Sequence, residues 1–364
     1  MKVPFFDLKK QYISIKEELD SAIGNVFSDL AFSGGSYVDS FEREFSRYCG
    51  VGFASGVSSG TDALHLAVRA LDIGAGDEVI LPANSFVATA WCVSYVNATP
   101  VFADCDPYTW NIDPAKIEGL ITGRTKAVIG VHLYGQPFDV DRVKGLSVRH
   151  GLHLIEDCAH APGAIYKGKK AGSFGELSCF SFYPGKNLGA YGEAGAVVTD
   201  NEAHDRRIKA LRNHGSVLRY HHDSIGFNMR MDGIQGAVLS VKLKHLDEWN
   251  ARRREIALRY RSGIKNPKIR MQEEAGHTRP VYHLFVVVTD KRDLLRAYLD
   301  GEGISTGVHY PIPIHLQKAY SHLGYVLGDC PNAEALSEGC LSLPMYPEMS
   351  DLEADRVIEA VNRY

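Results

Sequence analysis

The chain has 364 residues, of which 45% are hydrophobic, so it is long enough to form about two domains with a sizeable core. Lysine and arginine together number 40 against 44 acidic residues, which gives a net charge of -4. No basic block could neutralise phosphates, so nucleic-acid binding is not expected. Seven scattered cysteines without Cys-x-x-Cys spacing argue for reduced thiols. The sequence offers neither an apolar secretion signal nor a run of about 20 apolar residues for a membrane helix, so we expect a cytoplasmic protein.

The first 50 residues predict two helical segments, at 11–30 and 38–48, on either side of a turn at Ser33-Gly34-Gly35. A glycine-rich segment of this kind is a candidate for substrate contact, and a plain turn explains it equally well.

A polar, glycine-containing turn at residues 54–62 runs directly into a helical pattern at 63–71. The unpaired N–H groups of a helix start and the positive end of its dipole favour a phosphate, and Ser59, Gly60 and Thr61 occupy that position. Ordinary N-capping by a hydroxyl residue produces the same pattern without a ligand.

Strands and helices alternate from residue 77 to residue 157, which predicts an α/β fold with a largely parallel sheet. The expected strands are 78–81, 100–104, 127–132 and 152–157, and the expected helices are 85–96 and 140–150. Ligands bind at the carboxyl ends of such strands. Polar or aromatic residues follow several of these ends, among them Phe86 and Asp157.

Asp157 ends the apolar run 152–155, where a buried carboxylate would need a cationic partner. The protonated ring nitrogen of pyridoxal phosphate is one such cation. A capping aspartate at a strand-to-helix turn is the simpler alternative.

Lys186 is the central residue of a glycine-rich loop between two apolar runs, 177–182 and 196–198. An amine held near apolar walls loses part of its preference for the charged form and can attack a carbonyl cofactor. A solvated surface lysine is the alternative, since most lysines are exposed.

The segment after residue 200 has a polar loop with three histidines, His214, His221 and His222, but no helical periodicity that would pair them on a metal. A single long helix is expected at 234–260, with the arginine run 252–254 on a solvated face. A smaller α+β domain follows, with strands at 282–288 and 306–310 and helices at 292–299 and 351–362. Tyr310 is expected to face the cleft between domains. The predicted domains are 1–250 and 251–364.

Taken together, these features match the requirements of pyridoxal phosphate. Ser59, Gly60, Thr61 and Ser181 would hold the phosphate and Phe86 would stack on the ring. Asp157 would pair with the ring nitrogen, and Lys186 would capture the aldehyde.

The sequence also resembles the DegT/DnrJ/EryC1/StrS sugar aminotransferases over essentially its whole length, and the lysine motif is specific. The motifs that carry the resemblance are Ser-Gly-Thr-Asp-Ala-Leu at 59–64, Glu-Asp-Cys-Ala-His-Ala at 156–161, Ser-Phe-Tyr-Pro-Gly-Lys-Asn-Leu-Gly at 181–189, Gly-Phe-Asn-Met-Arg-Met-Asp at 226–232 and His-Tyr-Pro-Ile-Pro at 309–313.

The resemblance implies the fold type I architecture of aspartate aminotransferase and a homodimer with active sites at the subunit interface. It implies amino transfer from L-glutamate to a nucleotide-linked keto-sugar, most similar to the enzymes that make dTDP-3-amino-3,6-dideoxyhexoses. It also places His160 near the ring hydroxyl of the cofactor and Asn228 on the phosphate of the partner subunit's cofactor. Arg219, Tyr220 and Tyr310 are the candidate residues for substrate binding.

Three other functions remain open at this point. The first is amination at C4 of a 4-keto-sugar. The second is a related dehydratase, but those relatives carry histidine where this chain has Lys186. The third is a non-catalytic sensor or scaffold that keeps the cofactor fold, which the intact Lys186 and Asp157 do not support.

Overall fold

The computed structural model describes residues 2–218 and 220–364. In chain order the helices are α1 (Leu8–Ser14), α2 (Lys16–Ser28), α3 (Ser36–Cys49), α4 (Gly60–Ala70), α5 (Ala88–Ser94), α6 (Pro114–Ile117), α7 (Val140–His150), α8 (Glu202–Leu211), α9 (Gly233–Leu243), α10 (Leu246–Gly263), α11 (Arg292–Gly301), α12 (Pro331–Gly339) and α13 (Asp351–Arg363). The strands are β1 (Phe53–Val57), β2 (Glu78–Pro82), β3 (Thr99–Ala103), β4 (Thr125–Val131), β5 (His153–Asp157), β6 (Ile165–Tyr166), β7 (Lys169–Lys170), β8 (Leu177–Ser181), β9 (Gly195–Thr199), β10 (Ser216–Leu218), β11 (His221–His222), β12 (Arg270–Met271), β13 (Thr278–Arg279), β14 (Phe285–Val288) and β15 (Cys340–Leu343).

The main sheet has seven strands in the order β1-β9-β8-β5-β4-β2-β3. The neighbours from β8 to β3 pair in parallel, whereas β9 runs antiparallel to both β8 and β1. This confirms the predicted α/β fold with a mixed, mostly parallel sheet. The carboxyl ends of β4, β5 and β8 therefore meet at one edge, with Val131, Asp157 and Ser181 as their last residues.

A second sheet of three antiparallel strands, β12-β14-β15, has its own apolar cluster. That cluster combines α10, α11 and α13 with the strands, and the N-terminal residue Val3 joins it. The first half of α10 packs instead with a main-sheet cluster through Leu246 and with α2 and α9 through Trp249. Helix α10 thus connects two cores, and the division into domains at residue 250 stays a prediction.

Two helices predicted as continuous are broken in the structure. The segment 11–30 falls into α1 and α2 because Ile15, at φ -127°, leaves helical dihedrals and buries its side chain beside Val238. The segment 234–260 falls into α9 and α10. Since α9 packs on α2 and α3 whereas α10 packs on α13, one straight helix would not reach both neighbours.

The predicted strand at 306–310 is wrong, because this segment forms only an isolated bridge between Gly307 and Ser342. Conversely, β1 was not expected, since Ser55 and Gly56 give it the appearance of a turn. The backbone at Gly56 passes close to Met231, whose Cε would lie 3.1 Å from an added Cβ, so a side chain has little room there.

All seven cysteines are free and buried, as expected for reduced thiols. Among the described residues no helix is both long and apolar enough to cross a membrane.

Candidate active site

A cavity of about 510 Å³ opens at the carboxyl ends of β5 and β8. Its walls come from the main sheet and from segments that pack on the second sheet, including those around His283 and Tyr310. This position matches the site expected for an α/β sheet, and the volume lies in the range of small-molecule sites. Among the predicted residues, the cavity brings together Ser59, Gly60, Thr61, Phe86, Asp157, His160, Ser181, Lys186 and Tyr310.

The start of α4 forms one end of the cavity. Ser59 is the N-cap, and its Oγ accepts a hydrogen bond from the Asp62 N–H at 3.1 Å. The first N–H groups of the helix have no intrahelical acceptor. They lie at the cavity, because Ser59, Gly60 and Thr61 are among its lining residues. A Cβ added to Gly60 would lie 2.5 Å from the Ser181 Cβ, so only glycine lets α4 and β8 approach this closely. The result is an anion cradle with Ser181 opposite the helix start.

Asp157 is 5% exposed at the end of β5. Thr89 Oγ1 donates to its Oδ2 at 2.8 Å, and the Ala159 N–H donates to its Oδ1 at 3.1 Å. Burial raises the pKa of Asp157 even though both hydrogen bonds and the charge of Lys186 oppose that shift. The carboxylate is oriented by neutral donors, and a cation placed against it would be strongly favoured.

Lys186 lies in the loop after β8, and burial lowers its pKa from 10.5 to about 8 despite the attraction of Asp157. Hydrogen bonds within the loop and to neighbouring segments hold its backbone in place. The Lys186 N–H donates to the Tyr183 carbonyl at 2.8 Å, and the Asn187 side chain donates to Asn250 Oδ1 at 2.9 Å and to the Val281 carbonyl at 3.0 Å. At pH 7 about a tenth of this amine is therefore neutral, far more than for an ordinary lysine, and the neutral form is the nucleophile.

His160 is a neutral histidine in the wall of the cavity. Burial and the charge of Lys186 lower its pKa well below 6.5. The Tyr134 N–H donates to its Nδ1 at 3.2 Å, which assigns the proton to Nε2. Its ring lies 4.4 Å from that of His283. His160 can therefore donate one hydrogen bond without introducing a positive charge.

Phe86 is 48% exposed, with its ring 5.6 Å from the ring of Tyr310. This exposed ring lines the cavity. An aromatic ring bound between β5 and the second-sheet segments would have this face available for stacking.

A buried hydrogen-bonded pair supports the strand that carries Asp157. Glu156 and His132 are each 0% exposed, and Glu156 Oε2 lies 2.8 Å from His132 Nε2. The Glu156 carboxylate also accepts hydrogen bonds from the N–H groups of Gly172, Phe174 and Gly175. Together with Cys158 these residues place potential metal ligands within 4.8 Å of one another, but the carboxylate is already saturated by protein donors, so we assign it a structural role.

Three predicted site residues do not line this cavity. Asn228 is exposed, and its backbone bridges to Asn213. Tyr220 is 79% exposed beside the hairpin of β10 and β11. Arg219 lies outside the described residues.

Several residues of the cavity were missed from the sequence. Arg253 is the clearest correction, because the run 252–254 was expected to be solvated, yet Arg253 is 5% exposed and lines the cavity. Phe5 and His309 also line it, with their rings stacked at 5.7 Å. Burial, followed by the charge of Lys186, lowers the pKa of His309 to about 4.

The side chains present fit pyridoxal phosphate. The buried carboxylate suits a protonated ring nitrogen, the α4 cradle suits a phosphate, and the lysine with a lowered pKa suits an aldehyde. Gly60, where an added Cβ would clash with Ser181, lies in this cradle. The fold and this site together define a pyridoxal-phosphate-dependent aminotransferase.

The chain belongs to the DegT/DnrJ/EryC1/StrS aminotransferase family, whose model matches residues 13–362. It is similar to the dTDP-3-amino-3,4,6-trideoxy-alpha-D-glucose transaminase of Streptomyces venezuelae, with 45% identity over 100% of this chain and 96% of the relative. It is also similar to the dTDP-3-amino-3,6-dideoxy-alpha-D-galactopyranose transaminase of Aneurinibacillus thermoaerophilus, with 46% identity over 100% of this chain and 99% of the relative. Among solved structures, S. venezuelae DesV in complex with a ketimine intermediate superposes with a TM-score of 0.98 at 45% identity, covering 100% of this chain and 98% of that one. This confirms the predicted family and cofactor.

The first prediction concerns the pH dependence of cofactor capture. A lysine whose pKa is lowered to about 8 is mostly neutral above that pH, so the rate at which the apoprotein binds pyridoxal phosphate covalently should rise up to pH of about 8 and then level off. Stopped-flow absorbance across pH measures this rate, with Nα-acetyl-lysine as the control amine. A rate that kept rising to the ordinary lysine pKa would contradict the assignment.

The second prediction concerns Asp157→Asn, which keeps the size of the side chain and removes its charge. Loss of one member of a buried ion pair costs about 3–5 kcal/mol, so we expect the single-turnover reaction with L-glutamate to slow by roughly 10²–10³-fold. Asp205→Asn is the matched control, since Asp205 is also 5% exposed but bonds Ser55 and Lys209 away from the cavity. Equal rates in the two variants would show that Asp157 does not pair with the ring nitrogen of the cofactor.

The third prediction concerns Gly60→Ala. The added methyl group would push α4 away from Ser181, and overpacking of about 1–3 kcal/mol would raise the dissociation constant of pyridoxal phosphate by about tenfold or more. The control is Gly145→Ala in α7, where nothing lies within 4 Å of an added Cβ. Fluorescence titration of both apoproteins with the cofactor measures the difference. Unchanged affinity in Gly60→Ala would show that the start of α4 does not bind the phosphate of the cofactor.

Proposed function

We propose that this enzyme transfers the amino group of L-glutamate to C3 of a dTDP-linked 3-keto-6-deoxyhexose, giving a dTDP-3-amino-3,6-dideoxyhexose. The observation that carries the reaction class is the presence of Lys186 and Asp157 in one cavity, with the α4 cradle at its end. The substrate is supported by the two relatives described above, both named for a dTDP-3-amino sugar and alike to this chain over its full length.

Residues of this chain would hold the cofactor as follows. Asp157 would pair with the ring nitrogen, and Phe86 would stack on the ring. Ser59, Thr61 and Ser181 would bind the phosphate. When bound, pyridoxal phosphate withdraws electrons from the substrate carbon that carries the amino group, which makes its C–H bond acidic. His160 would donate from Nε2 to the ring oxygen without adding a positive charge that would disfavour protonation of the ring nitrogen.

Lys186 has two consecutive roles in this proposal. Its amine would hold the aldehyde of the cofactor and would be released when the amino donor binds. Because its pKa is lowered to about 8, a larger share of the released amine would be neutral than for an ordinary lysine, and that neutral amine would accept the proton from the donor's Cα. The protonated amine would then donate this proton on the cofactor side. The reverse sequence would serve the keto-sugar.

The aromatic walls of the cavity support a deoxygenated sugar. Phe5, Phe6, Phe86 and Tyr310 all line it. Aromatic rings pack well on the apolar face of a sugar, and a 6-methyl group gains more from such walls than a 6-hydroxyl group, which would lose its hydrogen bonds to water.

We further propose that the enzyme is a homodimer in which each subunit completes the other's site. Asn228 would bind the partner's cofactor phosphate, and Arg219 and Tyr220 would contact the sugar nucleotide. Exposed apolar side chains near these positions support a covered surface, since Val217, Leu218 and Ile225 are 64–83% exposed.

The regiochemistry is tested in the reverse direction. The enzyme loaded with pyridoxal phosphate is mixed with dTDP-3-amino-3,6-dideoxyhexoses of both C4 configurations and with the corresponding 4-amino sugar, and loss of the cofactor's visible absorbance is followed. Rapid bleaching by a 3-amino sugar supports the proposal. Bleaching by the 4-amino sugar alone would assign the enzyme to C4 instead.

The fourth prediction is that Lys186→Ala loses both the covalent cofactor and turnover with L-glutamate, because no second lysine is found among the described residues that line the cavity. Lys265→Ala, at an exposed position, is the control and should behave as the wild type. Absorbance spectra and product analysis provide the two readouts. Turnover that survived in Lys186→Ala would contradict the assignment.

A further inference from the structure

The cavity contains a cation to which the reaction above gives no role, Arg253 of α10. It is 5% exposed, whereas its neighbours Arg252 and Arg254 are partly exposed on other faces of the helix. Arg252 donates to Asp351 at 2.7 Å, far from the cavity lining. A buried arginine is costly unless its donors find acceptors, so the partners of Arg253 indicate its purpose.

The polypeptide uses only part of this guanidinium group. Nη1 donates to the carbonyls of Met345 at 2.9 Å, Tyr282 at 3.2 Å and His283 at 3.4 Å. Nε is buried and has no acceptor, and no hydrogen bond of Nη2 is found within residues 2–218 and 220–364. An arginine has five N–H donors in a planar fork that suits a carboxylate. Because Nε is sealed from the cavity, Nη2 is the donor group of this lining residue that remains for a ligand.

Glu348, the acidic residue that interacts with Arg253, does not pair with the free donor of the guanidinium. Glu348 interacts electrostatically with Arg253, but within the part of the chain that is described it forms no ion pair with it, and Glu348 Oε1 is itself buried without a partner. The two groups do not satisfy each other.

The charges that line the cavity leave Arg253 for the amino donor. The cationic lining residues are Lys186 and Arg253, and the acidic lining residues are Asp157 and Glu193. Asp157 is matched to the ring nitrogen, the α4 start to the phosphate, and Lys186 to the aldehyde. L-Glutamate brings two carboxylates into this space, and Arg253 is the remaining cation among the described lining residues.

We propose that Arg253 binds a carboxylate of the amino-acid donor and thereby selects an amino acid over a simple amine. The carbonyls that Nη1 holds belong to segments of the second sheet, so the guanidinium is fixed in place before the donor arrives. This inference rests on the proposed function, since it requires an amino-acid donor.

The test separates the two halves of the reaction. In Arg253→Gln, the half-saturating concentration of L-glutamate for bleaching of the pyridoxal form should rise roughly 10–100-fold, because hydrogen bonds to a charged group are lost. Reaction of the pyridoxamine form with the keto-sugar should not change. Arg253→Lys keeps the charge without the fork and should show a smaller rise, and Arg252→Gln is the control on the same helix.

Two further readouts identify the carboxylate, and the first of them does not depend on turnover. Glutarate, which has two carboxylates and no amine, should raise the melting temperature of the wild-type holoenzyme and of Arg252→Gln but not of Arg253→Gln. L-Glutamine, an amide at the side chain, and L-isoglutamine, an amide at the α position, distinguish the two carboxylates. We compare the half-saturating concentration of each amide donor in the wild type and in Arg253→Gln. If this concentration is the same in both for one donor, the carboxylate that this donor lacks is the one that Arg253 binds.

An unchanged dependence on L-glutamate in both Arg253 variants would overturn the proposal. An equal loss in both half-reactions would also overturn it, because a purely structural arginine would have that effect. Failure of the wild-type enzyme to react with L-glutamate would instead contradict the proposed function, so the two failures are distinguishable.

Discussion

The burial of the Asp157 carboxylate is the constraint on which the site depends. Among the described residues, the groups that donate to it, Thr89 and the Ala159 N–H, are neutral, and burial raises its pKa. A raised folded-state pKa means that ionisation of Asp157 costs folding free energy as the pH rises above the ordinary aspartate pKa. A protonated ring nitrogen held against Asp157, as proposed, would offset that cost and would link cofactor binding to the charge state of the ring.

The fold brings the other groups to the same place by simple means. Parallel strands end at one edge, which puts Asp157 opposite Cys179, two residues before Ser181, and glycine at position 60 lets α4 close on β8. The lysine loop then crosses this edge, anchored by Asn187 to α10 and to Val281. The second sheet closes the cavity through His283 and the segment that ends at Tyr310. Catalytic groups therefore come from the sheet edge, and the walls come from both cores.

The sequence was informative where a signal is local. Strand alternation, the helix start at Ser59, the acid at the end of β5 and the lysine in its glycine loop are each visible within ten residues. Contacts between distant segments were not visible. Arg253 looks like one member of a solvated run, and only the packing of α10 against the carbonyls of Tyr282 and Met345 shows that it points inward. The break between α9 and α10 has the same origin, because it follows from the separate neighbours of each helix. The roles proposed for Asn228 and Tyr220 require a second subunit, which no local pattern describes.

The most direct measurement of the central claim is the ¹⁵N chemical shift of the cofactor ring nitrogen in the holoenzyme, reconstituted with ¹⁵N-labelled pyridoxal phosphate. The account predicts the shift of a protonated pyridinium that persists well above the pH at which free cofactor loses this proton. A shift typical of a neutral pyridine at neutral pH would show that Asp157 does not face the ring nitrogen, and the arrangement of residues in the cavity would have to be assigned differently.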